Sequence, residues 1–187
     1  MNYVFFGSPD FAAVILEKLI SAGFVPAAVV CNPDRPVGRK KVLTAPPVKQ
    51  LITNGKWQIE IFQPEALSSL ISRLSSLKPD FFVVAAYSKI IPKEILAIPR
   101  LGTIGVHPSL LPKYRGATPI QSAILNGDAE TGVTLYLTDE KVDHGPILEN
   151  RKWKIGNSTY EQLHDALAKL AGELLVETLP KFLKGKI

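Results

Sequence analysis

Short, unbroken apolar runs alternate along this chain with segments of helical pattern, and that alternation constrains the fold more than any other feature. Residues 81–86 (FFVVAA) are the plainest run, six residues without a polar group, closed by Tyr87-Ser88-Lys89. Such a run fits a strand buried on both faces of a parallel sheet. Residues 3–6 and 27–30 read the same way, and residues 59–62 are a further short strand candidate. Between them, residues 11–20 carry a helical pattern, with Asp10 as N-cap and Gly23 just past the end. Pro46 and Pro47 open a helix through residues 48–53, because proline's missing N–H costs nothing in a first turn. Residues 64–76 form a third helix, while residues 31–45, rich in proline and charge, read as a loop.

Strand, turn and helix recur at the length of βαβ units, which predicts an α/β protein with a doubly wound, mostly parallel sheet. Further strands are expected at residues 102–107, 133–137 and 146–152. The tail, residues 158–183, reads as a helix packed on the sheet through Leu163, Leu167, Leu170, Leu174 and Leu175. At 187 residues, 46% hydrophobic and 21% charged, the chain fits a single domain and excludes disorder.

Several function classes drop out early. Cys31 is alone, so no internal disulfide forms, and no Cys/His spacing suits zinc. No basic region precedes the first apolar stretch, and no uncharged run reaches the roughly 18 residues a membrane span needs. A cytoplasmic protein without membrane contact is expected. The turn Gly7-Ser8-Pro9-Asp10 lacks both G-x-G-x-x-G and G-x-x-x-x-G-K-S/T, which argues against dinucleotide binding and against a nucleotide-hydrolysing P-loop.

In open α/β sheets ligands bind beyond the carboxyl ends of the strands, where strand order reverses. That directs attention to the segment His107-Pro108-Ser109-Leu110-Leu111-Pro112-Lys113-Tyr114-Arg115-Gly116, stiffened by prolines behind an apolar strand, and to Thr138–Pro146, which holds Asp139, Glu140, Asp143 and His144. Asn126-Gly127-Asp128-Ala129-Glu130-Thr131-Gly132-Val133-Thr134 lies between them.

These motifs together resemble the folate-dependent formyltransferases along nearly the whole chain, and most closely the catalytic domain of the branch that acts on initiator tRNA. The resemblance implies a single-domain, Rossmann-like formyltransferase fold. It also implies transfer of a formyl group from 10-formyltetrahydrofolate to an amine, without a metal. The amine's attack builds a tetrahedral oxyanion that needs stabilising in a water-poor site. His107 is then the catalytic histidine, and Asp143 orients it and favours its charged form. Ser109, Leu110, Leu111 and Pro112 match the family's folate signature. Tyr87, Ser88, Lys89, Ile90 and Ile91 match the loop that holds the pterin, and Asp139 to Asp143 close that pocket.

One position departs from the family. Its asparagine, two residues before the histidine, is Gly105 here. That removes an oxyanion donor of a kind worth about 10²–10³ in rate. Three readings stay open: an inactivating substitution, a change compensated by another group, or loss of catalysis. His144 is a candidate substitute donor, set against a plain exposed loop histidine. Restoring asparagine at 105 is expected to raise formyl transfer.

For the acceptor amine, Asn32-Pro33-Asp34-Arg35-Pro36-Val37-Gly38-Arg39-Lys40-Lys41 is similar to the loop with which the tRNA-directed branch embraces the acceptor stem. Arg35, Arg39, Lys40 and Lys41, with the turn residue Gly38, concentrate much of a modest net charge of +5 where phosphates could be neutralised. Methionyl-initiator tRNA and the folate are therefore the expected partners. A monomer is expected, although the sequence leaves oligomeric state open. The branch normally adds a C-terminal β-barrel domain that is absent from this sequence, so weaker tRNA affinity is expected, which leaves room for a smaller amine. Alternative acceptors are a nucleotide-linked amino sugar or glycinamide ribonucleotide. An impaired folate- or RNA-binding homologue is the alternative outside enzymes.

Overall fold

The computed structural model describes all residues, 1–187. Its seven-stranded sheet follows the alternation of apolar runs. In chain order, β1 (Tyr3–Phe6), α1 (Asp10–Ser21) and β2 (Ala28–Val30) precede the small strands β3 (Arg35–Val37) and β4 (Val42–Thr44). Next come α2 (Pro47–Asn54), β5 (Glu60–Phe62), a 3-10 turn (Leu67–Leu70), α3 (Ile71–Ser76) and β6 (Phe81–Ala85). The chain closes with α4 (Lys93–Leu96), β7 (Thr103–His107), α5 (Pro119–Leu125), β8 (Glu130–Leu137), β9 (Ile147–Lys154) and α6 (Tyr160–Leu183).

The order across the sheet is β5-β2-β1-β6-β7-β8-β9. Pairings from β5 through β7 are parallel, while β7–β8 and β8–β9 are antiparallel. The fold is thus the doubly wound, mostly parallel arrangement that the sequence predicts. Alternate residues of the central strands face opposite sides, as a period of two requires. Tyr3, Phe5, Phe81 and Val83 pack with α1, α2 and α6, whereas Val4, Phe6 and Phe82 pack with the 3-10 turn, α3 and α4.

The layer with α1 and α2 holds the leucine stripe of α6, with Leu163, Leu167 and Leu175 fully buried. At the start of α6, Thr159 and Gln162 form a reciprocal capping box, each side chain accepting from the other's backbone N–H. Strand order reverses between β1 and β6, so the loops leaving their carboxyl ends diverge and leave a crevice. Gly7 shapes one wall. A Cβ there would lie 2.7 Å from the Ala12 Cβ and 2.8 Å from the Ala85 carbonyl oxygen, so only glycine lets the chain turn this closely into α1.

Several elements differ from expectation. Residues 31–45 are no simple loop: β3 and β4 pair antiparallel as a hairpin, with Arg35 opposite Thr44 and Val37 opposite Val42. Its strands are three residues each, and β3 carries a proline and a charge, so no apolar period betrays them. The third helix is split, residues 67–70 being 3-10 and only Ile71–Ser76 being α. The short helices α4 and α5 each start at or just after a proline and are too brief to show a period.

Candidate active site

The crevice at the sheet's switch point encloses about 610 Å³, a size suited to a ligand with a flat ring system. Its walls come from the turn after β1, the loop after β6, the end of β7, the start of α5, the end of β8 with its following loop, and the first turns of α6.

His107 ends β7 and is 5% exposed, reaching the crevice from a buried strand. Its Nε2 lies 2.7 Å from the Tyr114 carbonyl oxygen, which only accepts, so this nitrogen carries a proton. Its Nδ1 faces the Asp143 carboxylate, 3.4 Å from Oδ2. Both ring nitrogens therefore face acceptors. Asp143 is itself fixed: Oδ2 accepts from the Gly116 backbone N–H at 2.8 Å and Oδ1 from the Tyr136 hydroxyl at 2.7 Å. Arg115 Nε donates to the Asp143 backbone oxygen at 2.8 Å. The loops after β7 and β8, remote in sequence, are stitched into one unit around the histidine.

Strained backbone occurs in this unit and in the loop after β6. Ala86, Tyr114 and Asp143 all adopt left-handed conformations, with φ of 47°, 55° and 48°. Each costs on the order of 1–3 kcal/mol, and such strain concentrates where a site must be held in one geometry. Tyr114 is anchored further by its hydroxyl on Asp128, which also receives Lys113; these two donors hold the Asp128 carboxyl below the usual range, Lys113 contributing most.

Tyr87, Ser88, Lys89, Ile90 and Ile91 all line the crevice, as expected of a ring-binding loop. The Tyr87 hydroxyl is buried without a hydrogen-bond partner, and burial pushes it up to about 12. A buried, unpartnered hydroxyl in a wall is a group waiting for a ligand atom. Lys89 turns its ammonium away to the Pro64 and Glu65 carbonyls, leaving its stem in the wall. Asn32 Nδ2 donates to Ser88 Oγ at 3.0 Å and ties this loop to the end of β2.

Asp139 lines the crevice too, and its carboxyl is held low chiefly by His144, whose Nδ1 lies 2.8 Å away. His144 is thereby spoken for, exposed and outside the crevice lining, so it does not stand in for a missing donor. Ser109, Leu110, Leu111 and Pro112 are not in the lining either. Ser109 is fully buried, its hydroxyl donating to the Lys113 carbonyl and its own carbonyl accepting from Thr134 Oγ1. The Leu111 N–H also reaches Thr134 Oγ1, at 3.0 Å. The block's visible work is to fasten the loop that presents Tyr114 to His107, rather than to form the pocket wall.

Gly105 has a clear structural setting. It pairs across the ladder with Tyr136, on the same face as His107 two residues on. A Cβ at Gly105 would fall 2.7 Å from the Tyr136 hydroxyl oxygen and closer still to the ring edge. An asparagine placed at 105 alone would have to displace a tyrosine that is 6% exposed, so the expected gain from that single restoration meets a collision.

The sequence did not single out Tyr136, Asp10, Phe11, Gln121, Tyr160 or His164 as lining residues. Tyr160 and His164 stand four apart at the start of α6, a spacing that sets both on one helix face and could have flagged them. His164 meets Phe11 edge-on at 5.4 Å and sits 3.6 Å from Asp10.

Beyond the crevice, the β3–β4 hairpin carries the cationic cluster. Arg35 pairs with Glu65 at 2.8 Å, both well exposed, while Arg39, Lys40 and Lys41 at the tip make no ion pair. Gly38 and Lys41 both take left-handed backbone to turn the tip. Asp34, at the root, is held by Lys49 and Gln63, so it does not cancel the tip's charge. No three His, Cys, Asp or Glu side chains converge to hold a metal ion, and no helix is long and apolar enough to cross a membrane.

Comparison with known proteins bears on the family and the fold. A family model described as formyl transferase matches residues 1–179. A methionyl-tRNA formyltransferase of Halalkalibacterium halodurans is 45% identical over 190 residues, covering 100% of this chain and 59% of that protein. One from Staphylococcus aureus (strain JH1) is 45% identical over 185 residues, covering 97% of this chain and 58% of its own length. The chain thus spans about three-fifths of the length of these curated relatives. Among solved structures, a phosphoribosylglycinamide formyltransferase from Bacillus halodurans superposes with a TM-score of 0.78 at 24% identity, covering 98% of this chain and 95% of that one. An N-formyltransferase from Helicobacter canadensis, in complex with folinic acid and dTDP-3-aminofucose, gives 0.71 at 22% identity over 98% of this chain and 64% of that one. At those identities the likeness is one of fold.

Proposed function

The chain belongs to the formyl transferase family, and from that premise we propose that it transfers a formyl group from 10-formyltetrahydrofolate to the amino group of methionyl-initiator tRNA. The observation that carries the reading is the His107–Asp143 pair, which lines a crevice together with the Tyr87–Ile91 loop and its unpartnered tyrosine hydroxyl. The choice of acceptor rests on relatives named for methionyl-tRNA, and on a proline-stiffened hairpin with three unpaired cations. Residues 1–187 are read as the catalytic domain, working in the cytoplasm where such an acceptor occurs.

In chemical terms the amine's lone pair forms a bond to the formyl carbon while the carbonyl π pair moves onto oxygen. Collapse of that tetrahedral species breaks the bond to the folate nitrogen. One proton leaves the amine and one reaches the released nitrogen, and His107 is the side chain placed to carry it. As imidazolium it also stabilises the oxyanion, with Asp143 opposite to balance its charge. The Tyr87–Ile91 loop and Asp139 would hold the donor's ring.

The test is formylation of charged initiator tRNA, a nucleotide-linked amino sugar and glycinamide ribonucleotide, side by side, with wild type and His107→Ala. Preference for the tRNA, lost with the histidine, supports the reading. Preference for either small amine overturns the acceptor while leaving formyl transfer in place, and no transfer to any of them overturns both.

A further inference from the structure

Gly105 leaves a gap on the catalytic face of β7, and the structure fills it from the next strand. Tyr136 stands directly opposite in the β7–β8 ladder, and large side chains cover glycines across a sheet when the pair shares a face. The ring lies where a residue-105 side chain would begin, with the hydroxyl 2.7 Å from the Cβ position itself. From there it reaches Asp143 Oδ1 at 2.7 Å, the oxygen that the Gly116 N–H leaves free.

We propose that Gly105 and Tyr136 act as one unit, in which the Tyr136 hydroxyl, delivered from β8 across the glycine, is a positioning residue that fixes Asp143 and through it His107. The inference takes its catalytic consequence from the formyl-transfer reading. Of the two partners only the phenol can donate, since an ionised carboxylate is acceptor-only. Burial, and next the Asp143 carboxylate itself, push the phenol well above its ordinary range, so it keeps its proton throughout the working pH. The carboxylate is then gripped at both oxygens, by a backbone N–H and by a phenol, and Oδ2, which the N–H holds, also faces the imidazole. Without the phenol, Oδ1 loses its only side-chain donor, and the carboxyl group is free to turn about the bond that aims Oδ2 at His107. The glycine is the condition for this arrangement, because any β-carbon at 105 collides with the ring. What looks like a deletion on one strand is thus half of a paired change.

The experiment compares wild type, Tyr136→Phe, Tyr136→Ala, Gly105→Asn and the double variant Gly105→Asn/Tyr136→Ala in the full chain. Tyr136→Phe keeps the ring over Gly105 and removes only the hydroxyl. A lost hydrogen bond to a charged group predicts a kcat about 10- to 100-fold lower, with KM for donor and acceptor within about twofold. In the substrate-free protein, nitrogen NMR of the His107 ring should show an altered tautomer and protonation balance across pH, which a purely packing role would not produce. Gly105→Asn should regain activity in the Tyr136→Ala background, where its amide has room, and lose it beside an intact Tyr136. Unchanged His107 resonances in Tyr136→Phe, or an unchanged kcat in a protein that turns over, overturns the proposal, as does no recovery in the double variant of an active protein. Altered His107 resonances in Tyr136→Phe, where wild type transfers formyl to no acceptor, would uphold the positioning role and sink the proposed reaction instead.

Discussion

Replacing Asp143 with asparagine removes one charge and very little else. The carboxylate accepts from the Gly116 N–H and from the Tyr136 hydroxyl. An amide can keep the first through its oxygen, while its NH₂ turns to Tyr136, whose hydroxyl rotates to accept. Shape and loop stitching therefore persist, and what disappears is the attraction across 3.4 Å to the His107 ring. For unit charges at that separation and an effective dielectric constant of about 20, the interaction is about 5 kcal/mol. The Asp143 side chain is 14% exposed and the amide keeps a dipole, so part of this survives. A loss of about 10²–10³ in kcat/KM is expected, with the melting temperature little changed. Steady-state formylation, with a thermal melt on the same preparation, measures both. Activity within threefold of wild type in a folded protein would refute the argument that the carboxylate's charge matters to the histidine.

Three further perturbations probe other parts of the account. If Arg39, Lys40 and Lys41 neutralise phosphates, the logarithm of tRNA affinity falls linearly with that of salt, and Lys40→Ala/Lys41→Ala should lower the slope by about 2; an unchanged slope would place the RNA elsewhere. Asp34 has its carboxyl held low, chiefly by Gln63 and then Lys49, so its contribution to stability is present above the ordinary carboxylate range and lost as pH falls through the depressed value. Melting of Asp34→Asn against wild type should accordingly show a gap at pH 7 that closes in strong acid. Thr159→Ala removes half of the capping box on α6 and should cost about 1 kcal/mol, a drop of roughly 2–4 °C in melting temperature, with no drop contradicting the cap.

Legibility followed the range of the interaction. The apolar run at 81–86 announced β6 because a strand buried on both faces needs no partner to be recognised. His107 and Asp143 were legible through motif likeness, and the fold brings them together although 35 residues separate them. The partner of Gly105 was not legible, since it depends on which strand lies alongside β7 and in what register. Ser109–Pro112 shows the reverse: a motif can mark a family while its backbone binds Thr134 and its residues stay outside the pocket lining. The β3–β4 hairpin escaped notice because its strands are only three residues each, too short to show a period, and their six paired residues are almost all exposed.

The most direct measurement follows labelled formyl from 10-formyltetrahydrofolate onto charged initiator tRNA in a single turnover, with wild type and His107→Ala in parallel. The account predicts label on the methionyl amine at a rate that falls by at least about 10² when the imidazole is removed. Label transferred equally well without His107, or none transferred by the wild type, would contradict it.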